Sequence, residues 1–352
     1  MKIAIITDTH WGVRNDNVIF LNNNKLFLDN IFFPTLEKHS IKQIIHLGDL
    51  VDRRKYVNIN TVNRLRNDFL QRVSDQYEMD VTAGNHDVYY KNTNDINFLD
   101  EFIGNKYPNI NVYTNPIERE YGGIKILLLP WITSENRTET IDLIGKTNAQ
   151  ICMGHLELEG FQMYKGSQIS HGEDRGIFRR FDVVFSGHYH HRSTLDNIHY
   201  LGSHGEFTWS DYNDPRGFHI FETETRELEF IENPYTLFKK IWYNDDKNIL
   251  ERTDFASIKD CFIKVIVQSK ENPYNFDTFM NKIYEAQPAE CSIVEDHKNM
   301  DSINEEDLLN EAEDTLTILS KYVNNLETSV DNKQLDLLLR DLYNEALRME
   351  TT

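Results

Sequence analysis

Ile44-Ile45-His46-Leu47-Gly48-Asp49-Leu50-Val51-Asp52 is a short apolar run closed by a glycine and followed by carboxylates. A run this short, ending at a glycine, reads as a buried strand. The carboxylates then fall in the loop at the strand's carboxyl end, where α/β proteins commonly build their sites. The same unit recurs on either side. Ile3-Ala4-Ile5-Ile6 precedes Asp8-Thr9-His10, and Val81 with its neighbours precedes Gly84-Asn85-His86-Asp87. Ile151-Cys152-Met153 precedes Gly154-His155, and Val183-Val184-Phe185 precedes Gly187-His188-Tyr189-His190. Each fragment has an ordinary explanation by itself. Asp8-x-His10 arises by chance, Gly48-Asp49-x-x-Asp52 is also a turn with a capping Asp, and His188-x-His190-His191 is also a solvated cluster. Jointly the five units point to a hydrolase with two metal ions.

The chain has 352 residues, room for about two domains and an appendage, with 39% hydrophobic residues. Three separated cysteines, Cys152, Cys261 and Cys291, fit a reducing compartment and argue against a disulfide framework or a thiolate zinc site. No apolar run approaches the roughly 20 residues of a membrane span, and Met1–Ile6 runs straight into Asp8, so it reads as a strand and not a leader. The expectation is a cytoplasmic protein without a membrane. The net charge of −20 is unevenly placed: residues 290–352 carry 16 acidic and 5 basic side chains. Acidity does not exclude DNA, because bound metal ions supply local positive charge, but it predicts weak non-specific binding by this chain alone.

Three regions follow. Residues 1–212 alternate β-type runs with helical stretches such as Leu26–His39 and Val62–Ser74, which implies an α/β layer architecture. After the turn Asn213-Asp214-Pro215-Arg216-Gly217, residues 213–294 read as a small α+β domain: a hairpin over Phe218–Phe230, a strand over Cys261–Val267 and a helix over Phe276–Ala286. A polar linker, Glu295–Ser302, leads to residues 302–350, read as two helices. Ser302-x-x-Glu305 is a capping box, and Leu308, Ala312, Leu316, Leu319, Val323 and Leu326 recur at helical spacing. Leu335, Leu338, Leu339, Leu342, Ala346 and Met349 repeat the pattern. This is either a hairpin packed on its own domain or a docking module for a partner helix, and the linker favours docking.

Phosphate-ester hydrolysis needs a nucleophile, neutralised phosphoryl oxygens and a stabilised leaving oxygen, which two cations about 3.5–4 Å apart supply together. Mixed Asp, His and Asn ligands suit manganese, iron or zinc better than magnesium. Asp8 and His10 are two apart, so on an extended segment they point the same way. Asp49 is the natural bridge, Asn85 brings an amide oxygen, and His155, His188 and His190 complete two imidazole-rich shells.

The series resembles the calcineurin-like metallophosphoesterase superfamily, and the whole chain resembles the SbcD/Mre-type DNA repair nucleases within it. Leu129-Pro130-Trp131, Gly154-His155-x-Glu157, Tyr164-Lys165-Gly166, Asp214-Pro215-Arg216-Gly217-Phe218 and Tyr89-Tyr90-Lys91-Asn92 add to the likeness. The resemblance implies a two-layer β-sandwich flanked by helices, a small capping domain and a C-terminal helical hairpin. It implies Asp8, His10 and His190 on the first ion, Asn85, His155 and His188 on the second, and Asp49 between them. His86 is then the catalytic histidine, protonating the leaving 3′ oxygen, and Asp52 orients it. Manganese-dependent 3′-to-5′ duplex exonuclease and single-strand endonuclease activities are implied. So are an SbcC-like ATPase gripped by the C-terminal helices and a homodimer formed by the nuclease domain.

Two departures stand out. His204-Gly205 follows Tyr200-Leu201-Gly202-Ser203 where relatives place proline, and His204 is either a further group of the site or, as favoured here, a surface histidine. Arg54 replaces the second glycine of the Gly-Asp-x-x-Asp-Arg-Gly of protein phosphatases. Arg14, Arg53, Arg54 and Lys55 lie just past metal loops and are expected to meet DNA phosphates, with Lys91 beside them in the third motif. Tyr89 and Tyr90 are expected to stack on a terminal base. The alternatives are another phosphoesterase (a protein phosphatase or cyclic-nucleotide phosphodiesterase) and a non-catalytic DNA-binding scaffold that regulates an ATPase.

Overall fold

The computed structural model describes residues 1–164, 167–168, 172–246 and 248–295. The expected C-terminal helices at 302–350, and Lys165 and Gly166 of the Tyr164-Lys165-Gly166 motif, lie outside the described residues.

In chain order the strands are β1 (Lys2–Ile6), β2 (Gln43–His46), β3 (Glu78–Thr82), β4 (Ile110–Tyr113), β5 (Ile117–Tyr121), β6 (Ile124–Leu129) and β7 (Ile151–His155). A small hairpin, β8 (Gln162–Tyr164) and β9 (Ser167–Gln168), precedes β10 (Val183–Gly187), β11 (Ser193–Leu195) and β12 (Ile198–Tyr200). Then come β13 (Gly217–Glu222), β14 (Leu228–Glu232), β15 (Phe238–Asn244), β16 (Phe262–Ser269) and β17 (Glu290–Glu295). One six-stranded sheet runs β14-β13-β1-β2-β3-β4 and a second runs β11-β12-β10-β7-β6-β5. The central strands of each are parallel; the first sheet has one antiparallel edge, β13–β14, and a parallel one at β4, while both edges of the second are antiparallel.

The two sheets face each other as a sandwich. Ile3, Ile5, Ile45 and Leu47 of the first sheet fill one apolar cluster with Ile126, Leu128, Met153 and Phe185 of the second. The alternate residues of β1, Ala4 and Ile6, face outward onto Phe27, Phe32, Phe33, Leu36 and Phe69. These come from the helical segments Val18–Lys38 and Ile59–Gln76. Both faces of β1 are therefore covered, which is why it reads as an unbroken apolar run and not an alternating one. The outer face of the second sheet is closed by Leu127, Leu129, Cys152 and Val184 packed on Ile144, Phe178 and Phe181.

The helix Pro273–Glu285 closes the third, all-parallel sheet, β15-β16-β17. Asn272 caps that helix, accepting from Tyr274 N–H, and Phe276, Phe279, Met280 and Ile283 form its buried stripe. Ile263, Val265 and Val267 meet it from β16.

The hairpin expected at the start of the second domain forms elsewhere. β13 pairs with β1 (Ile5 opposite His219) and β14 pairs with β13, so the hairpin is the edge of the first sheet. Phe218 and Ile220 join the core under the N-terminal helices. The core thus extends through Glu232, past the expected boundary at 212/213. No helix among the described residues is long and apolar enough to cross a membrane.

Candidate metal centre

All five strand-ending segments converge. Asp8 and His10 follow β1, Asp49 follows β2, Asn85 and His86 follow β3, His155 ends β7, and His188 and His190 follow β10. Two of the intervening glycines are dictated by crowding. A Cβ on Gly84 would stand 2.3 Å from both the backbone nitrogen and Oδ1 of Asp49. A Cβ on Gly187 would stand 2.0 Å from Thr7 Oγ1 and 2.9 Å from Asp8 Oδ2. The strand ends meet so closely that no side chain fits between them.

The expected extended geometry of Asp8-x-His10 does not occur. Asp8 (φ 51°) and His10 (φ 41°) both adopt left-handed backbone, as do Asp49 (φ 54°) and His188 (φ 88°). Each such residue costs on the order of 1–3 kcal/mol and persists where surrounding contacts over-determine it. Here the Asp8 loop is laced to the Asp49 loop: Asp8, His10 and Trp11 N–H donate to Gly48, Asp49 and Leu50 carbonyls at 3.1, 3.1 and 2.9 Å.

The ligand atoms of Asp8, His10 and His190 lie within 4.8 Å of one another, as do those of Asp49, His155 and His188, and of His10, Asp49 and His86. His155 shows why a cation fits. Its Nδ1–H donates to Leu47 O at 2.7 Å, so the neutral ring turns a lone pair on Nε2 toward Asp49 Oδ2 (3.2 Å) and Asn85 Oδ1 (3.0 Å). Three acceptors facing one another require a positive charge among them. In the metal-free chain a proton supplies it: burial pushes His155 down, but Asp49 prevails and raises it to about 9. Burial likewise pushes Asp49 up, yet His155 and His86 hold it well below the usual carboxylate range. His10 Nε2 and His190 Nε2 face each other at 3.0 Å. His188 Nδ1 meets Asn85 Oδ1 at 3.0 Å, while its buried Nε2 has no hydrogen-bond partner and stands 3.8 Å from Glu157. This donor set suits two adjacent divalent cations.

His86 is half-buried beside this group. Its backbone N–H donates to Asp49 Oδ1 at 2.7 Å, and its Nδ1–H donates to the carbonyl of Asp52. Asp52 therefore orients His86 through its backbone; its carboxylate lies 3.4 Å from His10 Nδ1 instead. Burial holds the His86 pKa below the ordinary histidine value, with Asp49 opposing.

Sequence reasoning missed several supports. Asp87, fully buried, accepts from Leu50 N (2.9 Å) and Val51 N (3.2 Å) on Oδ1 and from Gly84 N (2.8 Å) on Oδ2, so one carboxylate staples two ligand loops. Phe207 packs edge-on against His10 and His190, each at 5.4 Å. Asp211 fixes the Phe207 backbone (2.7 Å) and pairs with buried Arg216 (2.8 Å), whose second partner Asp214 (2.9 Å) also holds His191 (2.8 Å). That network is what the Asp214-Pro215-Arg216 motif builds. His204 is not on the surface: it is buried against Phe27 and bonded to Asn24 Oδ1 at 2.9 Å. Trp131 lies 5.1 Å from His188 and 5.9 Å from His155, ring to ring.

The expected DNA contacts divide. Arg53 is engaged by Asp16 (3.2 Å) and stacks over the exposed Tyr56. Arg54 is within electrostatic reach of Asp49 and has a buried Nη1 without a partner. Arg14, Lys55 and Lys91 are exposed. So are Tyr89 and Tyr90, whose rings meet edge-on at 4.7 Å.

Residues 1–192 match the family described as Calcineurin-like phosphoesterase. The chain is 32% identical to Exonuclease subunit 1 of Enterobacteria phage T4, covering 98% of this chain and 99% of that protein. It is 24% identical to a subunit of the nuclease SbcCD of Staphylococcus epidermidis, over 67% of this chain and 73% of that one. An archaeal phosphodiesterase structure aligns with 66% of this chain and 99% of its own length, at TM-score 0.33 and 12% identity.

Proposed function

The chain belongs to the calcineurin-like phosphoesterases, and from that premise we propose that it is the nuclease subunit of a DNA-processing complex, using two divalent cations, manganese by preference. One observation carries the reading: the ligand group Asp49-His155-His188 is linked to Asp8-His10-His190 through His10, which also groups with Asp49 and His86, and the His86 N–H holds the Asp49 carboxylate. Asp49 would bridge the ions and Asn85 would add its amide oxygen to the second. When bound, the cations supply charge neutralisation and an activated water.

The chain's own groups complete the site. His86 keeps a proton on Nδ1 for the Asp52 carbonyl, so protonating a leaving 3′ oxygen through Nε2 requires the imidazolium. Because burial lowers the His86 pKa, that form becomes scarcer as pH rises through it. Arg54, with its free Nη1 beside Asp49, would hold a phosphoryl oxygen. Tyr89 and Tyr90 would receive an unpaired base, and Arg14, Arg53, Lys55 and Lys91 would meet backbone phosphates at the rim. The relatives' names, both of them subunits, support an assembly. The proposed partner is an SbcC-like ATPase bound by residues 302–350, in a complex built on a dimer of this chain. The proposed activities are 3′-to-5′ degradation of duplex ends and endonucleolytic cutting of single strands.

The test strips the protein with chelator, restores manganese or magnesium separately, and offers labelled duplex DNA, single-stranded DNA and a phosphomonoester. The expected result is DNA cleavage with manganese, far less with magnesium, and little phosphomonoesterase. Phosphomonoester hydrolysis with intact DNA would overturn the DNA assignment.

A further inference from the structure

At the edge of the sandwich a second polar recess opens between the sheets. A cavity of about 330 Å³ is lined by Arg192, Ser193, Thr194, His199, His219 and Phe230, with apolar neighbours completing its wall and no carboxylate in it. These are positions where the fold elsewhere uses apolar residues. His219 lies two before Phe221 on β13, hence on the same face, and His199 is the direct neighbour of Phe185 across β10–β12. Phe185 and Phe221 belong to the inter-sheet core, their rings 4.9 Å apart. The apolar filling stops at those rings, and imidazoles take over.

The recess is equipped with donors that nothing satisfies. Arg192 Nε and Ser193 Oγ are buried without hydrogen-bond partners. Buried donors of this kind cost about 1–3 kcal/mol each unless a ligand or water meets them. His219, 4% exposed, joins them in the cavity lining. Phe230 fixes both groups, lying under the Arg192 guanidinium at 3.6 Å and against the His219 ring at 5.2 Å. Asp214 and Glu232 attract Arg192 from outside the cavity wall. Burial pushes His219 down to about 3, so at neutral pH it offers an N–H without adding like charge beside Arg192.

We propose that this cavity binds a phosphate-class oxyanion, either inorganic phosphate or the phosphate of a mononucleotide, held by Arg192, Ser193 and His219. In a chain of net charge −20, a pocket lined by a guanidinium, two imidazoles and two hydroxyls, with no carboxylate, selects an anionic guest by charge and by hydrogen-bond polarity. The proposal is independent of the nuclease assignment.

The test is equilibrium dialysis of the full chain against radiolabelled phosphate, with manganese and again with excess chelator, so that binding through metal ions is removed. Phosphate that persists in chelator, and weakens about tenfold or more in His219→Leu and in Arg192→Gln, is the expected result. Binding that vanishes with the metal, or chelator-resistant binding that both variants keep, overturns the proposal. Displacement by adenosine monophosphate but not adenosine assigns the mononucleotide as guest, and displacement by neither assigns inorganic phosphate. Ser193→Ala removes one donor without altering charge or packing. Should His219→Leu fail to fold, a severalfold loss in Ser193→Ala upholds the site and unchanged binding sinks it.

Discussion

The metal centre and the edge cavity are both histidine clusters set into one β-sandwich, yet they have opposite chemistry. At the metal centre Asp8 and Asp49 stand among imidazoles, and His155 rises to about 9 against its own burial. At the edge no carboxylate lines the cavity, and burial carries His199 and His219 below the ordinary histidine value. The backbone differs as well. Four residues of the metal centre are left-handed, whereas His199 and His219 sit in regular strands. Neighbours, more than residue type, decide whether such a cluster attracts a cation or an anion, and strain collects where several loops must aim at one point.

Removing the central carboxylate is the sharpest way to break this contrast. Asp49→Asn keeps the shape but deletes the charge that holds His155 protonated in the metal-free chain. Metal binding measured by calorimetry should collapse, and phosphodiesterase turnover should fall by roughly a thousandfold or more. The His155 ring, followed by NMR in chelator, should lose its proton near neutral pH; retained metal affinity would remove Asp49 from the proposed bridging position. His86→Gln comes next. Metal stoichiometry should survive, while turnover drops by about 10²–10³-fold. Equal losses of metal and turnover would make His86 a ligand instead.

Asp87→Asn separates positioning from coordination. The carboxylate accepts three backbone N–H groups with two oxygens. Asparagine can serve only one side, and its NH₂ then confronts either Gly84 N–H or the Leu50 and Val51 pair, leaving buried donors unmet. Metal affinity should weaken about 10–100-fold, as for groups that orient ligands. Unchanged affinity would show that the ligand loops hold themselves.

The strands and the candidate ligands at their ends were legible because both signals are local: an apolar run, in most cases a glycine, then a ligand type. What lay beyond local pattern was misread or missed. Alternation over Phe218–Phe230 announces a hairpin but not the sheet it joins, and pairing with β1, more than 200 residues earlier, decided that. Asp8-x-His10 named a pair that does converge, but by the wrong geometry, since nothing local signals two left-handed residues. His204 read as a surface residue because its partner, Asn24, is 180 residues away. Phe207 and the Asp211–Arg216–Asp214 network behind His190 lie closer in sequence, but no periodic pattern marks them.

Glu206 gives the smallest but cleanest test of how neighbours set charge, because it is a buried carboxylate whose pKa no imidazole governs. It is 4% exposed, and one oxygen, Oε2, accepts from Leu237 N (2.7 Å) and Phe238 N (3.0 Å), tying the start of β15 to the core. Burial raises its pKa from 4.5 to about 7, the reverse of Asp49, with the two backbone donors opposing. The folded chain therefore holds this proton more tightly than the unfolded one. The stabilisation is complete below about pH 4.5 and is lost as pH climbs through about 7, a change of a few kcal/mol at most. Glu206→Gln keeps an oxygen for both N–H groups and carries no charge at any pH. Urea unfolding at about pH 5 and about pH 8 should show wild type and variant close together at the lower pH, with the variant more stable at the higher. Parallel curves would mean that the two N–H donors, with the charge of Arg216, outweigh burial and keep Glu206 ionised.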